Sequence, residues 1–176
     1  MNWPNRLSII RVLCIPVLIL LLSLEPVWCH WAAVLVFSFA SFTDYLDGHL
    51  ARKHQWITVF GKFIDPVADK LLVLSTFIQL IGMNLVPSWM VVLILARELS
   101  VDGLRLIAIS KGQVIAAGHL GKIKTASQMF FLLMLLILRM PAFSFPVGII
   151  FSLWIIVITL WSGVDYFIRN RRILSE

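Results

Sequence analysis

Six runs of mostly apolar residues, each long enough to cross the hydrocarbon of a bilayer, limit what this 176-residue chain can fold into. They fall at about 7–24, 31–51, 60–82, 88–109, 121–140 and 145–168, and a spanning helix needs roughly 20 such residues. Hydrocarbon offers no partner to an open backbone, so segments of this kind are helices. Hydrophobic residues make up 60% of the chain and charged residues 14%, against about 25% charged in soluble domains. The sequence therefore predicts an all-α integral membrane protein with six transmembrane helices, a single membrane-embedded unit over residues 1–176. The breaks at Glu25-Pro26, the basic "RKHQ", Asn84 to Pro87, Lys111 to Gly118 and Pro141 to Pro146 are the short connections of a compact helical bundle. The N-terminal run is read as a retained first span, because no A-x-A-like cleavage site follows it and five more runs do.

The net charge of +6 comes from basic residues that flank apolar runs. That pattern points to topology signals and lipid headgroups, and not to nucleic acid. Arg6, Arg52, Lys53, Lys62, Lys111, Lys122, Lys124, Arg169, Arg171 and Arg172 all fall on one side of the layout, and only Arg139 falls on the other. Both termini are thus expected in the cytoplasm. Cys14 and Cys29 suggest neither a disulfide framework nor a metal site.

The acidic residues are concentrated. Four of the nine, Asp44, Asp47, Asp65 and Asp69, stand in "DYLDGHLARKHQWITVFGKFIDPVAD" at 44–69. A carboxylate at the centre of a membrane helix costs about 2.5 kcal/mol or more. Counting from Trp31 on the outer side, Asp44 lies ~20 Å into a core of ~30 Å, in its inner third. The i,i+3 pair Asp44 and Asp47 shares one helix face, and so does the i,i+4 pair Asp65 and Asp69. Small residues flank the acids (Ala40, Gly48 and Ala51; Gly61 and Ala68) and leave room for a bulky ligand. Four such carboxylates must pair with bases, take up protons or bind cations. Arg52, Lys62 and Lys70 could form an ion-pair network with them. An all-oxygen donor set equally suits two hard divalent ions such as Mg²⁺ or Mn²⁺, and two-metal sites serve phosphoryl chemistry. Cation transport is the third use, but a transporter needs acids along a path across the bilayer, and these cluster at one face.

The spacing D-x₂-D-G-x₂-A-R-x₈-G-x₃-D-x₃-D (Asp44, Asp47, Gly48, Ala51, Arg52, Gly61, Asp65, Asp69) resembles, without a mismatch, the signature of the CDP-alcohol phosphotransferases. The resemblance implies a six-helix membrane bundle, a homodimer, and a site at the cytoplasmic end. It implies transfer of a phosphatidyl group from a CDP-linked lipid to an alcohol, with CMP leaving. Asp44, Asp47, Asp65 and Asp69 would hold two divalent ions, and Asp69 would act as general base. Gly48 and Ala51 would let the nucleotide lie close to the helix. Arg52 is either a contact to the nucleotide or its phosphates or a topology residue, and Asn5 and Arg11 on the first helix hold nucleotide or lipid headgroup or else serve at the surface.

The acceptor must be read from the rest of the chain. An anionic alcohol needs cations beyond those serving the diphosphate, and Arg97, Arg105, Lys111, Lys122 and Lys124 are the candidates. Glu98, Asp102 and Arg105 form a line that could be self-neutralising. Anchoring at the interface would account for Lys122 and Lys124, but less well for Arg97, about nine residues inside its span. "PNRLSIIRV" at 4–12, "ARE" at 96–98, Arg105 and "GKIKTASQ" at 121–128 resemble the phosphatidylglycerophosphate synthases within the family. That resemblance implies CDP-diacylglycerol as donor, glycerol 3-phosphate as acceptor, and the cytoplasmic (inner) membrane as setting. Serine, inositol phosphate or phosphatidylglycerol are the other acceptors considered, and a divalent-cation transporter or a non-catalytic assembly protein the other classes. The sixth span suggests no chemistry.

Overall fold

The computed structural model describes the backbone of residues 3–54, 59–113, 115 and 118–171, and the side chains of 9–43, 67–113, 115 and 118–171. Its six α-helices are α1 (Trp3–Ser23), α2 (Val27–His54), α3 (Val59–Gly82), α4 (Ser88–Ser110), α5 (His119–Leu138) and α6 (Pro146–Arg169). Each matches one apolar run, and no strand occurs among the described residues. The first two helices begin about four residues before the expected spans, at Trp3 and Val27, and the end of α2 also differs. The "RKH" of the expected break is still helix, because α2 continues to His54, and Arg and Lys are good helix formers.

Prolines and left-handed residues mark the helix ends. Pro87 caps α4 and Pro146 stands in the first turn of α6, where a missing N–H leaves nothing unpaired. After α4, Gln113 N–H donates to Ala108 O at 2.8 Å and Gly112 N–H to Ile109 O at 2.9 Å. This doubly bonded terminus requires a left-handed residue, and Gly112 has φ +71°. Within the helices, Ser38, Thr76, Ser100 and Thr125 each donate to the carbonyl four residues back. A hydroxyl does this where no water is at hand.

The chain divides into two compact units, Met1–Asn84 with Leu132–Arg139, and Leu85–Phe131 with Met140–Glu176. In the first, α1 packs on α2 and α3. A buried stripe on α2 (Cys29, Ala33, Phe37, Ala40) and another on α3 (Ala68, Leu72, Phe77) join Leu18 and Leu22 of α1 in its core. Buried His30 donates from Nε2 to Leu136 O at 2.6 Å, which satisfies one of the four carbonyls that the end of α5 leaves open.

In the second unit α4 packs on α6. Phe130 stacks on Phe151 with ring centroids 5.5 Å apart, and Trp154 donates to Ser127 Oγ at 3.1 Å; residue order along these contacts makes α5 antiparallel to α6. The surface of α6 reverses the soluble pattern. Val147, Ile150, Trp154, Val157, Trp161, Val164 and Ile168 are exposed, while Ser152, Thr159 and Ser162 are buried. An apolar exterior over a polar interior suits a helix solvated by lipid. By length and composition α5 and α6 can each cross a membrane, and Ile9–Ser23 and Val27–Thr43 are shorter apolar stretches.

At the start of α6, a Cβ on Gly148 would lie 2.3 Å from Ala142 O and 2.7 Å from the Phe145 ring. Gly148→Ala is expected to cost about 1–3 kcal/mol, seen as a lower melting midpoint of the detergent-solubilised protein; an unchanged midpoint would contradict this packing.

Candidate functional site

Asp44 and Asp47 lie on α2, and Asp65 and Asp69 on α3, so helical backbone underlies both pairs. Gly48, Ala51 and Arg52 also lie on α2, and Asn5 on α1. The side chains of Asn5, Asp44, Asp47, Gly48, Ala51, Arg52 and Asp65 lie outside the described residues. Among the described residues no three His, Cys, Asp or Glu side chains stand together. The fit to a hard divalent cation rests on the donor set. It is all oxygen, carried on two helices at i,i+3 and i,i+4, and such ions take carboxylate ligands. The residues fit.

Asp69 is described in full, and one of its partners lies outside the 44–69 stretch. Arg11 of α1 donates from Nη1 to Asp69 Oδ1 at 2.8 Å. The Arg11 side chain is 0% exposed and that of Asp69 27%. Arg11 is therefore no surface residue. It anchors one carboxylate of the acidic set from a third helix, 58 positions away in sequence.

The five candidate cations separate into three environments, all in the second unit. Lys124 of α5 donates to Glu98 Oε1 of α4, and Arg97 Nη1 lies 3.2 Å from the same oxygen. All three side chains are at least nine-tenths buried. Two cations thus meet on one carboxylate oxygen. The Arg97 stem passes between two glycines: a Cβ on Gly163 of α6 would lie 3.1 Å from its Cγ, and one on Gly121 of α5 3.9 Å from its Nη2. Arg97 also lines a groove of about 380 Å³ between α4 and α6, with apolar walls from Leu93, Leu160, Val164 and Phe167.

Arg105 stands apart from this group. Its Nε donates to Tyr166 Oη of α6 at 3.0 Å, and its guanidinium carbon is 5.5 Å from the centroid of that ring. The expected line of Glu98, Asp102 and Arg105 does not neutralise itself, since Glu98 turns to Arg97 and Lys124. Lys111 caps the end of α4 and Lys122 lies in the first turn of α5, both exposed. The sequence reading missed Tyr166 and Gly163. No spacing rule connects them to α4, because they act across the α4–α6 contact. Glu98 carried a signal: it is a carboxylate deep in an apolar run beside an arginine.

The pattern of the family described as CDP-alcohol phosphatidyltransferase matches residues 1–162. The chain belongs to that family. It is 40% identical to a protein of Bacillus subtilis (strain 168), over 96% of this chain and 95% of the relative. A relative from Pseudomonas fluorescens is also 40% identical, over 94% of this chain and 88% of its own. One from Shigella flexneri serotype 5b is 39% identical, over 99% and 98%. All three bear the name CDP-diacylglycerol–glycerol-3-phosphate 3-phosphatidyltransferase. In this family member the Arg11–Asp69 pair can be tested by a double-mutant cycle. Arg11→Met should cost about 1.5–3 kcal/mol, and adding it to Asp69→Asn should cost clearly less; equal costs in the two backgrounds would show that the pair contributes nothing.

Proposed function

We propose that this chain transfers the phosphatidyl group of CDP-diacylglycerol to sn-glycerol 3-phosphate, releasing CMP and forming phosphatidylglycerol phosphate. The observation that carries this reading is the likeness, over nearly the whole chain, to relatives named for that reaction. The cationic residues of the second unit support it, because glycerol 3-phosphate brings a phosphate that the other family acceptors serine and phosphatidylglycerol present differently or lack.

In the proposed mechanism the primary hydroxyl oxygen of the acceptor forms a bond to the lipid-side phosphorus of the diphosphate. The bond from that phosphorus to the bridging oxygen breaks, and CMP departs with the electron pair. Asp69 accepts the hydroxyl proton, held in place by Arg11. Asp44, Asp47, Asp65 and Asp69 would hold Mg²⁺ or Mn²⁺, two ions in all. When bound, such ions supply neutralisation of the diphosphate and of the charge that develops on the leaving group. Asn5, Gly48, Ala51 and Arg52 serve the nucleotide end of the donor. Arg97, Arg105 and Lys124 serve the acceptor's phosphate, with Lys111 and Lys122 drawing anions to the surface nearby.

The two units work as one membrane-embedded catalytic domain of six spans in the cytoplasmic membrane, with both termini and the site on the cytoplasmic side. The chain pairs as a homodimer. The one-sided distribution of Lys and Arg supports the orientation. A donor with two acyl chains and a water-soluble acceptor both reach a site at that boundary.

Assay of the purified protein with CDP-diacylglycerol and each of glycerol 3-phosphate, serine, inositol phosphate and phosphatidylglycerol tests the reading. Turnover with glycerol 3-phosphate is expected; turnover with serine alone would overturn it. Asp69→Asn should abolish turnover while CMP binding stays measurable. Lys124→Ala and Arg105→Ala should each raise KM for glycerol 3-phosphate about tenfold or more, with KM for the lipid little changed. Equal effects on both substrates would remove these cations from the acceptor site.

A further inference from the structure

Tyr166 lies beyond the residues that the family pattern matches, 1–162, yet it holds one of the five candidate cations. It is 6% exposed and packs with Val101, Leu104 and Ala108 of α4. A phenol in an apolar cluster needs a hydrogen-bond partner, and the partner it finds is Arg105 Nε at 3.0 Å.

The bond has two consequences. Arg105 meets a hydroxyl where Arg97 and Lys124 meet the Glu98 carboxylate. Among the described residues no carboxylate pairs with it. The bond also occupies Nε. A guanidinium offers a phosphate either the edge formed by Nε and one Nη or the edge formed by the two Nη nitrogens. With Nε committed to Tyr166, the Nη1–Nη2 edge is the one left for bidentate binding. A long, flexible side chain is thereby fixed in direction before any ligand arrives, which lowers the ordering cost of binding.

We infer that Tyr166 is a positioning residue: it fixes Arg105 so that its Nη1–Nη2 edge receives the phosphate of the acceptor alcohol. This rests on the reading that Arg105 binds that phosphate. Tyr166 does not touch the reacting atoms, and its effect belongs in acceptor affinity alone.

The test is Tyr166→Phe, which keeps the ring and its packing and removes only the hydroxyl, measured with Arg105→Ala and the double variant. For Tyr166→Phe, KM for glycerol 3-phosphate is expected to rise about three- to tenfold, with kcat and KM for CDP-diacylglycerol changed less than about twofold. In the Arg105→Ala background the same substitution should have no further effect on KM. If Arg105→Ala raises the acceptor's KM but Tyr166→Phe does not, the positioning role is overturned and the acceptor reading stands. Should Arg105→Ala itself leave that KM unchanged, both fail. A Tyr166→Phe effect that adds in full to that of Arg105→Ala, falls equally on both substrates, or tracks a lowered melting midpoint also overturns the positioning role.

Discussion

A charge in a chain built to meet hydrocarbon must be answered by another charge or by a ligand, and the structure follows from that requirement. The price of an unanswered carboxylate or ammonium in such surroundings exceeds what packing of one side chain returns. Two ion pairs cross between helices: Arg11 on α1 with Asp69 on α3, and Lys124 on α5 with Glu98 on α4. Each such bond also fixes one helix against another, so the polar chemistry and the architecture share their residues.

The two units use this differently. In the first, Arg11 of α1 holds the one aspartate of the 44–69 set whose side chain is described, Asp69. In the second, Arg97 and Lys124 share the Glu98 carboxylate, and Arg105 bonds a phenol. The exposed apolar face of α6 over its buried hydroxyls suits a protein whose donor substrate stays in the bilayer.

Much of this was legible in the sequence. The six helices could be read from the apolar runs, because in lipid the length of a run and the need to close every backbone hydrogen bond leave little choice. The end of α2 is not legible in the charge of "RKH", because Arg and Lys continue a helix readily. The family was legible in the 44–69 spacing, since fixed positions on two helix faces are a strong pattern. Partner choice was not. Arg11 lies 58 positions from Asp69, and Tyr166 lies 61 from Arg105; such pairs depend on which helices pack together, which apolar periodicity does not specify. Glu98 was placed in a self-neutralising line with Asp102 and Arg105, and the structure turns it instead to Arg97 and to Lys124.

The central claim is that the four aspartates of α2 and α3 form a divalent-cation site. Titration of the purified, metal-free protein with Mn²⁺ in the presence of CMP, followed by electron paramagnetic resonance of the free ion, tests it most directly. The account predicts saturable binding of two ions per chain, reduced by Asp44→Asn and by Asp65→Asn. Absence of saturable binding, or binding unaltered by both substitutions, would contradict it.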